Sequence, residues 1–246
     1  MTRTETPLTT LKLVRSNSLS SLVQQEIRRM ILAGEITSGE WLNESALSQR
    51  FSVSRGPVRE AFRTLEESGL VRQEKNRGVF VREISVEEAD QIYDLREALD
   101  ELIGRQVAAC ATLDQIKTLR VRLDEMDEVG RDDDVAAYYA LNLRFHDQLA
   151  EFTGNRKLVT IYRRLINELH LFRLRGLAQF GGLRKSIDEH RAMVKAIESK
   201  NIKAAGRIFR AHVVASRHRM YKACGRETTG LPPALTAGVR TVRSPS

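Results

Sequence analysis

The chain has 246 residues, of which 41% are hydrophobic, 29% charged and 6% aromatic, with 5 prolines and 15 glycines. That length allows one large domain or two modest ones, and the composition excludes collagen, low-complexity disorder and a disulfide-stapled miniprotein. The formal charge is +8, but five of the eight excess charges fall in residues 1–18 and 222–246, so the basic balance alone is no argument for nucleic acid; individual arginines must carry it. No apolar run approaches the roughly 18 residues needed to cross a bilayer. No apolar core follows a basic start at the N-terminus. Cys110 and Cys224 are far apart and have neither metal nor redox spacing. The expectation is a cytoplasmic protein, not a membrane one, whose two cysteines are small packing residues in a reducing compartment.

Residues 1–18, rich in Thr and Ser, read as a mobile arm, and 225–246 as a similar tail. Between them, 19–83 holds short segments cut by Gly and Pro, whereas 84–224 contains no proline. In the first region Leu22, Ile27, Met30 and Ile31 form a helical stripe that stops at Gly34. A second helix is expected at about 44–51, with Ala46, Leu47 and Phe51 on one face. Ser52-Val53-Ser54 makes a turn, and Ser54 can cap a third helix over 55–68. Pro57 falls in its first turn, Val58, Ala61, Phe62 and Leu65 face inward, and Gly69 stops it. Leu70–Gln73 and Val79–Arg82 are strand candidates around a polar turn. Three helices and a hairpin predict a winged helix-turn-helix, whose third helix enters the major groove of duplex DNA.

Arg55 and Arg59, four residues apart, share one face of that helix, and Arg63 extends it by a turn. Guanidinium forks suit bidentate contact with guanine or phosphate, and Ser54 with the free N–H groups at the helix start suits a phosphate. The stretch Ser54-Arg55-Gly56-Pro57-Val58-Arg59-Glu60-Ala61, flanked by Leu42-Asn43-Glu44 and Asn76-Arg77-Gly78-Val79, resembles the recognition-helix signature of GntR-type bacterial transcription regulators. Thr is also common in that family where Gly56 stands here. The resemblance implies operator contacts from Ser54, Arg55, Gly56, Arg59, Arg77 and Gly78; Arg63 is added by helical phase alone.

In the second region six helices are expected, at about 86–111, 113–129, 133–153, 156–179, 183–199 and 201–223. Ile92, Leu95, Leu99, Leu102 and Ile103 mark the first, and Gly130, Gly154 and Gly181-Gly182 mark breaks. The fold class expected is mainly α: a winged helix-turn-helix followed by an all-helical bundle. The stretches Leu95-Arg96-Glu97-Ala98-Leu99, Asn142-Leu143-Arg144-Phe145-His146, Gly154-Asn155, Glu189-His190 and Ala211-His212 resemble the FCD ligand-binding domain of the FadR-like GntR subgroup. That resemblance implies a divalent metal held by His146, His190 and His212, with Asn142 where the family has Asp, and Arg96 matching an inward arginine that contacts effector. His170 and His218 fall outside the pattern.

Three imidazoles and one amide oxygen suit Zn²⁺, with Ni²⁺ or Mn²⁺ as alternatives. They bring no negative charge, which favours a small carboxylate effector on the metal. The resulting expectation is a homodimeric, effector-responsive repressor rather than an enzyme. Two rivals are a constitutive DNA-binding dimer with a degenerate site, and a metal-dependent hydrolase using Glu189 as base. The latter lacks an HExxH helix, a phosphate loop and a nucleophile elbow.

Overall fold

The computed structural model describes residues 18–132, 134–174 and 183–223. Most of the expected arm, the Gly181-Gly182 break, positions 175–179 of the fourth expected helix, Cys224 and the tail lie outside them. The described residues fall into two compact units: those up to Leu99 together with 147–174, and 100–146 together with those from 183 onward.

The first unit begins with α1 (Leu19–Leu32), capped by the Ser18 hydroxyl on the Ser21 amide. Its buried side is Val23, Ile27, Met30 and Ile31, whereas Leu22 stays exposed, because 22 lies off the arc that faces α3. After Gly34, whose φ of +75° suits a residue without a Cβ, the two-residue strand β1 (Trp41–Leu42) precedes α2 (Glu44–Arg50). The Asn43 side chain caps α2. Leu47 and Ser48 are its buried residues; Ala46 is exposed and Phe51 half-buried, so the helix is seated about one position away from the expected face.

Helix α3 (Arg55–Glu67) buries Val58, Ala61, Phe62 and Leu65, as its apolar period requires. Ser54 occupies its N-cap, but the Ser54 side chain makes no capping bond there. β2 (Val71–Glu74) and β3 (Gly78–Val81) form an antiparallel hairpin in the register Val71↔Val81 to Glu74↔Gly78. Each strand starts or stops one residue from its expected bound. The unexpected element is β1, which pairs with β3 (Trp41↔Phe80, Leu42↔Val79) and makes a three-stranded sheet ordered β1-β3-β2. Two residues are too few for an alternating pattern to register.

The same unit contains α7 (Arg156–Leu174). Its polar side chains meet the carbonyl ends of two helices: His170 Nε2 donates to Leu32 O at 3.0 Å, and Asn167 Nδ2 to Ser68 O at 3.0 Å. Glu168 accepts from Arg82 at 2.6 Å and Arg164 at 3.1 Å. Helix C-termini leave carbonyls without intrahelical donors, and α7 supplies them. Gly69 is required here twice over: its φ is +77°, and a Cβ would stand 2.6 Å from the Glu168 carboxylate.

Helices α4 (Val86–Cys110) and α6 (Val135–Phe152) contribute residues to both units. The second unit is otherwise α5 (Leu113–Arg131), α8 (Leu183–Glu198) and α9 (Ile202–Ala223). Thr112 and Gln115 close a capping box at the start of α5. The buried face of α4 differs from expectation. Ile92 and Ile103 are buried, but Leu95 is 56% exposed and Leu102 40%. Arg96, Glu97 and Asp100 turn inward instead, so the chain buries polar groups on this helix and leaves leucines outside. Cys110 is likewise exposed rather than packed.

The second unit is closed by small residues. Ala108, Ala196 and Ala205 cluster where α4, α8 and α9 meet. A Cβ on Gly104 would stand 2.7 Å from the Phe209 ring and 2.9 Å from the Ala205 carbonyl oxygen. Ring and backbone cannot both yield, so Gly104→Ala is expected to cost about 1–3 kcal/mol through overpacking. Urea unfolding of the variant checks this, and an unchanged midpoint would show that α4 and α9 can separate without loss.

Candidate metal centre and nucleic-acid interface

Three buried imidazoles converge in the second unit. His146 comes from α6, His190 from α8 and His212 from α9, with exposures of 5%, 0% and 5%. His146 Nε2 lies 3.1 Å from His190 Nε2 and 3.2 Å from His212 Nε2. Ligand nitrogens around one cation, each about 2.1 Å from it, stand about 3.0 Å apart in octahedral and about 3.4 Å apart in tetrahedral arrangement. The observed spacing fits between these limits. One ligand atom from each of the three residues lies within 4.8 Å of the others, forming a buried cluster capable of holding a divalent metal.

The far edges of the rings explain why the Nε2 atoms meet. His212 Nδ1 donates to Glu189 Oε2 at 2.8 Å, so its Nε2 carries the lone pair. Glu189 is itself gripped by both terminal nitrogens of Arg219, at 2.7 and 2.9 Å. His190 Nδ1 lies 3.4 Å from the Tyr138 hydroxyl, which also bonds Ser186. Phe145, fully buried, sets its ring 4.9 Å from that of His190 and edge-on to His146.

The electrostatics favour the neutral form of His190 and His212. Burial pushes the His190 pKa well below its ordinary value, and the His212 and Arg219 charges push it further. Burial also lowers that of His212, with Arg219 adding to it and Glu189 and Asp100 opposing. Neutral imidazole is the form that ligates metal. For Glu189, burial raises the pKa, but hydrogen bonds from His212 and Arg219 outweigh it and bring the carboxyl down to about 2. Its lone pairs are engaged by His212 and Arg219, the arrangement of a group that orients a ring.

Asn142 is half-buried one turn before His146 on α6. Arg96 belongs to the first unit, 3% exposed; its Nη2 donates to the Tyr162 hydroxyl at 3.4 Å, and its guanidinium lies 5.9 Å from the Tyr93 and 5.7 Å from the Tyr162 ring centroid. His170 is the helix-capping residue described above, and His218 is exposed on α9. Sequence reasoning missed Tyr138 and Arg219. Both were signalled by helical phase: Tyr138, Asn142 and His146 follow at four-residue steps on α6, and Arg219 lies two turns after His212 on α9.

In the first unit Ser54, Arg55, Gly56, Arg59 and Arg63 are all exposed on or just before α3, and Arg77 is exposed at the hairpin turn. Glu44 on α2 organises the arginines: Arg59 Nε donates to it at 2.7 Å, and Arg55 Nε lies 3.9 Å away. Gly78, with φ +108°, allows the turn to pass against Trp41. Among the described residues no helix is long and apolar enough to cross a membrane.

The model of the bacterial regulatory proteins of the gntR family matches residues 19–81, and that of the FCD domain matches 91–215. Among relatives, the HTH-type transcriptional regulator YdhC of Bacillus subtilis is 29% identical over 76% of this chain and 84% of its own. The gluconate operon transcriptional repressor of the same organism is 25% identical over 81% and 80%. A crystal structure of a GntR regulator from Rhodococcus sp. RHA1 superposes with a TM-score of 0.68 at 26% identity, covering 84% of this chain and 99% of that one. E. coli McbR/YncC, at 16% identity and a TM-score of 0.72, shares the fold. The chain belongs to the GntR family of bacterial transcription regulators, in the form that carries an FCD domain.

Proposed function

We propose that this regulator is a ligand-responsive repressor of the FadR-like subgroup, acting in the cytoplasm as a homodimer on a palindromic operator. The observation that carries the sensing half of this reading is the convergence of three buried imidazoles, two of them with their outer nitrogens already engaged. In this reading residues 19–83 read DNA and 84–224 sense and dimerise, with 1–18 as arm and 225–246 as tail. Leu95 and Leu102, one heptad apart on α4, expose apolar surface of the kind that a second copy covers. The repressor assignment draws on the gluconate operon relatives, whose names describe them so.

Arg55, Gly56, Arg59 and Arg63 are the major-groove contacts, Ser54 at the helix start meets a phosphate, and Arg77 and Gly78 lie at the adjoining backbone. His146, His190 and His212 hold the cation with Asn142, and Zn²⁺ suits the set best, ahead of Ni²⁺ or Mn²⁺. The bound metal supplies a positive centre for an anionic ligand. A small carboxylate is that ligand, and the arginine at 96 is a further candidate to hold a carboxylate. Effector binding regulates only if the effector binds the two DNA-affinity states unequally.

The test is metal analysis of the untagged chain, paired with a thermal-shift screen of small carboxylates with and without chelator. Near-stoichiometric metal and chelator-sensitive stabilisation by one acid class are expected. No metal and no chelator effect would leave the DNA reading standing, mark Asn142 as a lost site, and leave any effector to Arg96 and hydrogen bonds alone. Arg59→Ala is expected to abolish specific operator binding with the dimer intact, since the residue is exposed and its removal empties no core; sedimentation and a mobility-shift assay read both. His190→Ala should lose the metal, whereas Asn142→Asp should tighten it by adding a charged oxygen; weaker binding by the Asp variant in a chelator competition would place residue 142 outside the sphere. In the same competition, Glu189→Gln is expected to weaken the metal about 10–100-fold by releasing the His212 ring, with circular dichroism unchanged.

A further inference from the structure

The groove between α3 and the hairpin holds a side chain absent from the DNA-reading set above. This cavity of about 400 Å³ is lined by Trp41, Glu44, Arg59, Phe62, Arg63 and Arg77, among others. Trp41 is the chain's one tryptophan, and it is 53% exposed. A half-exposed indole forgoes much of the stabilisation that its burial would give. The Trp41 backbone is nonetheless held in the sheet, and its ring rests on a glycine. The β1 backbone pairs Trp41 with Phe80, and the indole lies so close to Gly78 that a Cβ there would stand 2.6 Å from Nε1. The ring therefore lies against the hairpin turn and lines the groove.

We propose that this groove seats one sugar–phosphate unit of duplex DNA, with Trp41 supplying the face against the deoxyribose. The inference rests on the DNA-reading role proposed above and adds a contact to it. Three observations converge. The walls carry three arginines against one carboxylate, complementary to a phosphate. Arg59 and Arg77 are held by half-buried carboxylates, Glu44 and Glu74, but are themselves largely exposed, and surface pairs of this kind contribute little. The groove also lies directly beside the helix that enters the major groove, where the flanking strand backbone must pass. An indole offers an apolar face to sugar C–H groups and a single N–H donor to a phosphate oxygen.

The probe is a duplex recovered from a randomised pool by in vitro selection on the full wild-type chain. Because there is one tryptophan, its emission reports on this groove alone. Saturating duplex is expected to change that emission and to shield it from acrylamide. Trp41→Ala is expected to lower affinity about tenfold while leaving the salt dependence unchanged, since an apolar contact releases no counterions; Arg77→Ala should instead reduce the salt slope by about 1. Trp41→Phe, which keeps the ring and the cross-strand pair, should recover most of the affinity.

Unchanged emission and acrylamide access at saturation overturn the proposal. So does a Trp41→Ala chain that binds like the wild type, or one that loses affinity and salt slope together, which is the mark of a collapsed hairpin. If Arg59→Ala loses the duplex while Trp41 stays accessible in the wild-type complex, the groove inference falls and the DNA reading stands. If the wild-type chain retains no duplex, both fall.

Discussion

Three imidazoles packed together without solvent are the constraint around which the second unit is built. Each ring must satisfy two nitrogens, and neutral imidazole has one donor and one acceptor. Burying such groups without partners is costly. The chain resolves this asymmetrically. Glu189 and Tyr138 engage the outer edges of His212 and His190, and the inner edges are left facing one another. Arg219 then compensates the half-buried Glu189 carboxylate. Four helical positions on α8 and α9 thus serve one end, which is to present lone pairs to a common point.

The first unit depends on a different polar economy. A recognition helix must keep one face open to solvent, so its packing comes from Val58, Ala61, Phe62 and Leu65 on the other face and from whatever anchors its ends. The C-terminal end is anchored by α7, through Asn167 on the Ser68 carbonyl, while His170 does the same for α1. Glu168 collects Arg82 and Arg164 beside them. These contacts join the carbonyl ends of α1 and α3 to a helix far along the chain. A change in α7 that removes Asn167 or His170 would leave a carbonyl at the end of α3 or α1 without that donor.

Much of this was legible in the sequence because period and punctuation agreed there. The apolar set of α3 and the stops at Gly34 and Gly69 follow from helix geometry and from positive φ, which the structure bears out at both glycines. The three histidines come from three separate helices, so no local spacing could have joined them; the resemblance to known FCD domains did. Where the sequence misled, the reason is physical. Leu95 and Leu102 satisfy an amphipathic period, but that period does not say which of two faces is inward, and α4 turns Arg96, Glu97 and Asp100 inside. β1 escaped because two residues have no period, and Ala46 because a seven-residue helix tolerates a shift of its buried arc.

Asn142 stands one turn before His146, and as a proposed ligand it would bring no charge to the cation. With an aspartate, one unit of the cation's charge would be cancelled among its ligands. With an amide, the three histidines and Asn142 together bring none. The nearby Glu189 does not make good the difference, because it is paired with Arg219 and its lone pairs are spent on that guanidinium and on His212. A divalent ion in this setting therefore keeps nearly its full charge in a medium that screens poorly, where an opposite charge is worth most. An anion that completes the sphere gains more here than it would beside a carboxylate ligand, while the metal alone gains less. If Asn142 joins the three histidines as proposed, cation and anion affinities would be tied together by one side chain, and an effector carrying its own negative charge would help to retain the metal.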